Sequence, residues 1–128
     1  MIKIVASDPL FEPIRKFALS LPFANEDIKW EKDVVFTVHK KMFCVLMTEE
    51  PFTISFKCSP EEAEILSRKK GIIPAPYLAR YDWVQCVSLK TLPQKELEKR
   101  IHSSYQLVWN KLPAKFRKTN LKNSTNTF

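Results

Sequence analysis

A chain of 128 residues with 45% hydrophobic and 12% aromatic side chains is sized for one globular domain, able to bury roughly two thirds of its unfolded surface. Its formal charge of +7 is lopsided: residues 1–64 carry 8 Lys/Arg against 11 Asp/Glu, residues 65–128 carry 13 against 3, and no acid follows Lys99. With Gly71 as the only glycine, neither a Walker-type loop nor a dinucleotide fingerprint can be built, and no apolar run approaches the roughly 20 residues that span a bilayer.

The segment DPLFEPIRKFALSLP predicts a first helix, with Leu10, Ile14, Phe17, Ala18 and Leu21 at helical spacing. Asp8 is placed to cap it with Pro9 in the first turn, whereas Pro13 is expected to disturb its interior and Pro22 to stop it. Three strands follow: 34–39, 42–47 and 52–58. The last alternates strictly, with Phe52, Ile54, Phe56 and Cys58 on one face and Thr53, Ser55 and Lys57 on the other. Short links, Lys40-Lys41 and Thr48 to Pro51, imply an antiparallel meander. Lysines at a hairpin tip suit contact with phosphate, and they equally suit a solvated tip that discourages edge pairing.

SPEEAEILSRKKG predicts a middle helix with a capping box from Ser59 to Glu62, Pro60 at its first position and Gly71 ending it. The Arg68-Lys69-Lys70 cluster is then expected in the last turn, where the helix dipole favours positive charge. PAPYLARYDWV leads into a strand at about 83–89. After it, Thr91 and Gln94 form a second possible capping box for a helix running to about Leu112, striped by Leu97, Ile101, Tyr105, Val108 and Leu112. The expected organisation is one domain over residues 1–117 and a basic, flexible tail at 118–128.

Cys44, Cys58 and Cys86 lie in or beside apolar strands without a CxxC and are expected to be reduced, buried thiols. His39 and His102 offer neither metal-ligand spacing nor a catalytic partner, so no metal, cofactor or enzymatic activity is expected. The N-terminus MIKIVASDPL lacks the charged and apolar regions of a signal peptide, which makes the cytoplasm the default compartment.

An ordered set of short motifs runs from about residue 10 to residue 117. It comprises Leu21-Pro22, Glu26-Asp27, Val35-Phe36, Lys41-Met42-Phe43, Lys57, Ser59-Pro60-Glu61, Gly71 and Pro74. Leu78, Trp83, Leu92-Pro93, Ser104-Tyr105 and Lys111-Leu112-Pro113 complete it. On these residues the chain resembles the MmcQ/YjbR family, small bacterial proteins often described as DNA-binding. The resemblance implies an α+β, frataxin-like fold, an antiparallel sheet meander with N-terminal, middle and C-terminal helices packed on one face. The chain departs from the family where many relatives carry Gly-Gly or Gly-Lys before the hairpin Met, here Lys40-Lys41. It departs again where they carry His-Leu-Asn-Lys and then His-Trp, here Tyr77-Leu78-Ala79-Arg80, Tyr81 and Asp82-Trp83. Iron handling, the activity of frataxins, needs clustered carboxylates, and the first helix offers only Asp8 and Glu12 beside Arg15 and Lys16.

Two functions follow as expectations. The first is DNA binding, with phosphates held by Lys40, Lys41, Arg80, Lys90 and the basic C-terminal region, and with Tyr77, Tyr81 and Trp83 adding stacking or groove contacts. The second is a non-catalytic interaction module that meets an acidic protein partner and is anchored by the same aromatic run.

Overall fold

In the computed structural model, which describes residues 8–30 and 32–121, the sheet grows outward from the three apolar runs. β2 (Asp33–Val38), β3 (Lys41–Met47) and β4 (Ile54–Lys57) pair antiparallel in chain order. β1 (Ala24–Lys29) joins the outer side of β2, and β6 (Trp83–Cys86) joins β4. β5 (Ile72–Pro74) closes the far edge, giving a six-stranded order β1-β2-β3-β4-β6-β5 that is antiparallel throughout. The meander thus covers β1 to β4, and the chain crosses to the edge before returning as β6. β1 was not foreseen because an edge strand such as ANEDIK, largely exposed, needs no apolar alternation.

The tight hairpin turn is His39-Lys40, with φ of 48° and 65°, and Lys41 already belongs to β3. Both turn residues adopt the left-handed conformation that a two-residue hairpin demands and that Gly or Asn ordinarily supplies.

Helix α1 (Phe11–Ser20) starts later than its sequence suggests. The Asp8 carboxylate accepts from the Leu10 amide at 2.9 Å and its carbonyl accepts from Phe11 at 3.1 Å, so Asp8 makes a turn ahead of the helix and does not cap it. Pro13 consequently falls in the first turn, where no amide needs an intrahelical partner, and it breaks nothing. Arg15 joins Glu26 of β1 and Glu12 of its own helix, fastening α1 to the sheet edge. The neighbouring carboxylates raise the guanidinium's already high pKa.

In α2 (Pro60–Ser67) the Ser59 hydroxyl accepts from the Glu62 amide as the capping box requires. The helix ends at Ser67, so Arg68, Lys69 and Lys70 lie just past its last turn. Arg68 pairs with Glu64 and Lys69 with Glu96. Gly71 is left-handed at φ 87°, and a Cβ there would press on the Thr91 methyl at 3.0 Å. Thr91 does not cap α3 (Gln94–Trp109), whose N-cap is Pro93 without a side-chain bond. The stripe Leu97, Ile101, Tyr105 and Val108 is buried as expected, with Leu112 just beyond.

A further helix, α4 (Ala114–Leu121), forms where the sequence suggested only a polar segment. Its anchor is Phe116, whose ring meets Trp109 at 5.7 Å, Phe23 at 6.1 Å and His39 at 4.2 Å. The remainder of the expected tail, 122–128, lies outside the described residues.

The helices share one face of the sheet. α3 packs on β2, β3 and β4, α1 on β1 and α3, and α2 on β5 and β6. Phe11, Ile14, Phe36, Phe43, Phe56, Leu97, Ile101 and Tyr105 lead a single core between the layers. The Tyr105 hydroxyl donates to the Pro22 carbonyl at 2.5 Å, which satisfies its buried polar end.

The wholly buried Ser104 settles one detail of this packing. β3 and β4 pair from Leu46–Ile54 to Cys44–Phe56, and there their ladder stops. The Ser104 hydroxyl takes over, donating to the Phe43 carbonyl at 2.6 Å and accepting from the Lys57 amide at 2.8 Å. Ser104→Ala strands both backbone groups and should lower stability by about 1–3 kcal/mol in urea unfolding, whereas Ser20→Ala on the surface should cost far less.

All three cysteines are buried free thiols, and burial pushes Cys58 up to about 11, Cys86 up to about 12 and Cys44 higher still. The native protein is therefore expected to resist a thiol-disulfide reagent at mildly alkaline pH, with all three cysteines reacting once urea is added.

Candidate nucleic-acid interface

Where β3 and β4 part, a cleft of about 390 Å³ opens at the end of the sheet. Lys41 and Met42 of β3, Lys57 of β4, Leu78 and Tyr81 of the loop before β6, Trp83, and Val108, Lys111 and Leu112 from the end of α3 line it. The Lys57 ammonium donates to the Tyr81 carbonyl at 2.7 Å. Partial burial lowers its pKa and the Lys111 charge pushes the same way, with Asp82 opposing them. None of the three lysines has an ion pair among the described residues, in contrast to Arg15, Lys32, Arg68, Lys69 and Arg100.

The loop that frames this cleft is tightly tied. The Ala75 amide donates to the Trp83 carbonyl, Leu78 to Ala75, Tyr81 to Leu78 through a 3-10 turn over Ala79–Tyr81, and the Cys58 amide to the Asp82 carbonyl. Trp83 is buried, while the Arg80 guanidinium stands 4.8 Å from the centre of the half-exposed Tyr81 ring.

Next to the cleft, on the sheet face that carries no helix, lies a groove of about 560 Å³. Its floor and walls are Met42, Val45, Met47, Ser55 and Asp33, and its rims are Trp30 on one side and Pro76, Tyr77 and Leu78 on the other. Met42 and Leu78 line both hollows, so groove and cleft are continuous.

The structure gathers most of the residues singled out from the sequence. Lys41 and Tyr81 line the cleft, Arg80 leans on Tyr81, Tyr77 rims the groove, and Lys40 occupies the hairpin tip next to Phe116 of α4. Lys90 is placed apart. It follows the other end of β6 and lines a separate hollow with Leu10, Ile14, Leu92 and Gln94. Sequence reasoning did not mark Lys57, Lys111 or Trp30 as site residues. The polar position of Lys57 on an alternating strand was a signal, but nothing local shows that Lys111 meets it. Among the described residues no three His, Cys, Asp or Glu side chains group as metal ligands, and no helix is long and apolar enough to cross a membrane.

Burial also raises the Asp33 carboxyl above its usual range, so the folded state holds this proton more tightly than the unfolded chain. The charged form is thus a penalty on the fold that is fully present above the folded pKa and vanishes once acid protonates both states. Asp33→Asn should raise Tm at about pH 7 and leave it nearly unchanged near pH 3, as followed by calorimetry.

No curated protein matches the sequence. Among solved structures, the chain is similar to the Deinococcus radiodurans protein DR2400, which carries a DUF419 domain. The two share 26% identity at a TM-score of 0.76 over 84% of this chain and 85% of that one. A protein from Pseudomonas syringae shares the fold at 24% identity and a TM-score of 0.65, over 76% of this chain and 97% of its own. The YjbR family profile matches residues 19–107, from the end of α1 through most of α3, and covers the groove and all of the cleft lining except Val108, Lys111 and Leu112. By that match, the chain belongs to the YjbR family.

Proposed function

We propose that this protein is a cytoplasmic, non-catalytic DNA-binding module that holds backbone phosphates in the cleft of Lys41, Lys57 and Lys111. The observation that carries the proposal is the convergence of these three cations, from β3, β4 and the turn after α3, with no ion pair to any of them among the described residues and only the more distant Asp82 opposing their charge. A cation already paired gains little from phosphate, whereas lysines that repel one another gain the most from an anion between them. A phosphate would also favour the charged form of Lys57, against burial and the Lys111 charge. Lys40 at the hairpin tip and the basic helix α4, with Lys115, Arg117 and Lys118, extend the positive surface beyond the cleft. Arg80 and Tyr81 add a cationic and stacking edge.

A second reading, an interface for an acidic protein, draws on the exposed Trp30 and Tyr77, since Trp, Tyr and Arg dominate binding hot spots. Purification of a stoichiometric protein partner with no bound nucleic acid favours it over DNA.

A salt-resolved titration with labelled DNA tests the proposal. Log affinity should fall linearly with log salt, and Lys41→Gln or Lys111→Gln should each weaken binding and reduce the slope by about 1. Lys90→Gln, at the other end of β6, should change neither. Lys111→Gln should not lower Tm, because it relieves the repulsion on Lys57. Absence of binding at low salt to both duplex and single strand overturns the proposal.

A further inference from the structure

The groove beside the cleft has a feature that phosphate binding does not use. Trp30 and Tyr77 stand at its opposite rims and are 65% and 98% exposed, whereas Trp83 and Trp109 are each only 5% exposed. Both rim residues have left-handed backbones, with φ of 53° and 65°. Bulky aromatic side chains rarely adopt that region, and such strain clusters where a ligand is clamped or a function demands a particular orientation. Two separate turns, one before β2 and one before β6, thus each hold a large ring in an unfavourable conformation around one hollow.

We infer that this groove receives unpaired bases, so that the nucleic acid held by the protein is single-stranded, with bases on Trp30 and Tyr77 and phosphates on Lys41, Lys57 and Lys111. The inference rests on the phosphate role of the cleft and names the class of strand it takes.

Two further observations and a general property of duplexes support it. The hollows are continuous through Met42 and Leu78, so a strand whose backbone lies on the lysines can turn its bases onto the apolar floor of Met42, Val45 and Met47. The floor is not wholly apolar: the Asp33 carboxylate can accept from an exocyclic amine and Ser55 can both donate and accept, the groups that read a base edge. A duplex keeps its base faces stacked on one another, whereas a single strand can offer them to protein rings, and such stacking tolerates any sequence.

The test uses the intact chain and one mixed-sequence oligonucleotide, offered as single strand and as duplex at low salt. Tryptophan emission should be quenched by the single strand, because the exposed Trp30 is the indole a base can reach. The single strand should also bind roughly tenfold or more tightly than the duplex. Trp30→Ala and Tyr77→Ala should each weaken single-strand binding by roughly tenfold while leaving duplex binding and Tm unchanged. Trp30→Phe, which keeps a stacking face, should abolish the quench with little loss of affinity. Equal binding of both forms, with silent Trp30→Ala and Tyr77→Ala, overturns this inference and leaves the phosphate cleft standing. Aromatic variants that weaken duplex and single strand alike overturn it in the same way. Failure of both single strand and duplex to bind overturns both readings, as does a protein partner retained by the parent chain and lost from Trp30→Ala.

Discussion

A buried carbonyl and a buried amide that lose their ladder partners must find others, and in this protein the Ser104 hydroxyl serves both. That single bridge from α3 lets β3 and β4 separate past Cys44 and Phe56 without stranding the Phe43 carbonyl or the Lys57 amide. The gap lies at the end of the sheet where Lys41, Lys57, Trp83 and the end of α3 come together. A hydrophobic residue at 104 would fill the same space but satisfy neither backbone group. The cleft is therefore a consequence of how the core is closed, and its lysines hang on the rim of a rigid structure.

The charges divide into two populations with different physical roles. Arg15 fastens α1 to β1 through Glu26, Arg100 joins α3 to Glu62 at the cap of α2, and Arg68 and Lys69 sit beside Glu64 and Glu96. These cations are largely absorbed by the fold. Lys41, Lys57 and Lys111 are not, and the depressed pKa of Lys57 reflects its partial burial first and the nearby Lys111 charge second. The net charge of +7 says little by itself, because what matters is which positive charges remain available.

Much of the architecture was legible because local signals and tertiary packing agreed. The apolar runs became β2, β3 and β4, Ser59 and Glu62 began α2, and the stripe from Leu97 to Val108 faced the core. The misses have physical reasons. β1 is an edge strand stabilised by pairing and by Arg15, and neither requires an apolar pattern. α4 is held by one aromatic residue, too sparse a signal to show as periodicity. The Thr91 cap failed because Thr91 packs against Gly71. For the site, Tyr77, Arg80 and Tyr81 could be read from one short stretch, and Lys41 from the hairpin. Lys57, Lys111 and Trp30 reach the same surface only through the sheet order and the length of α3, which no local pattern encodes.

The sheet order also constrains how the chain reaches this structure. β5 precedes β6 in sequence, yet β6 lies between it and the rest of the sheet, so β5 has no strand to pair with until β6 is in place. The β1–β4 meander, by contrast, pairs strands that are near neighbours in sequence. β6 joins the two parts by pairing with both β4 and β5, and α3 packs over β2, β3 and β4. On a ribosome, everything up to β4 can begin to assemble as it emerges, but the cleft lacks part of its lining until the chain has extended past Lys111. The last residues to line the cleft are thus among the last of the domain to be made.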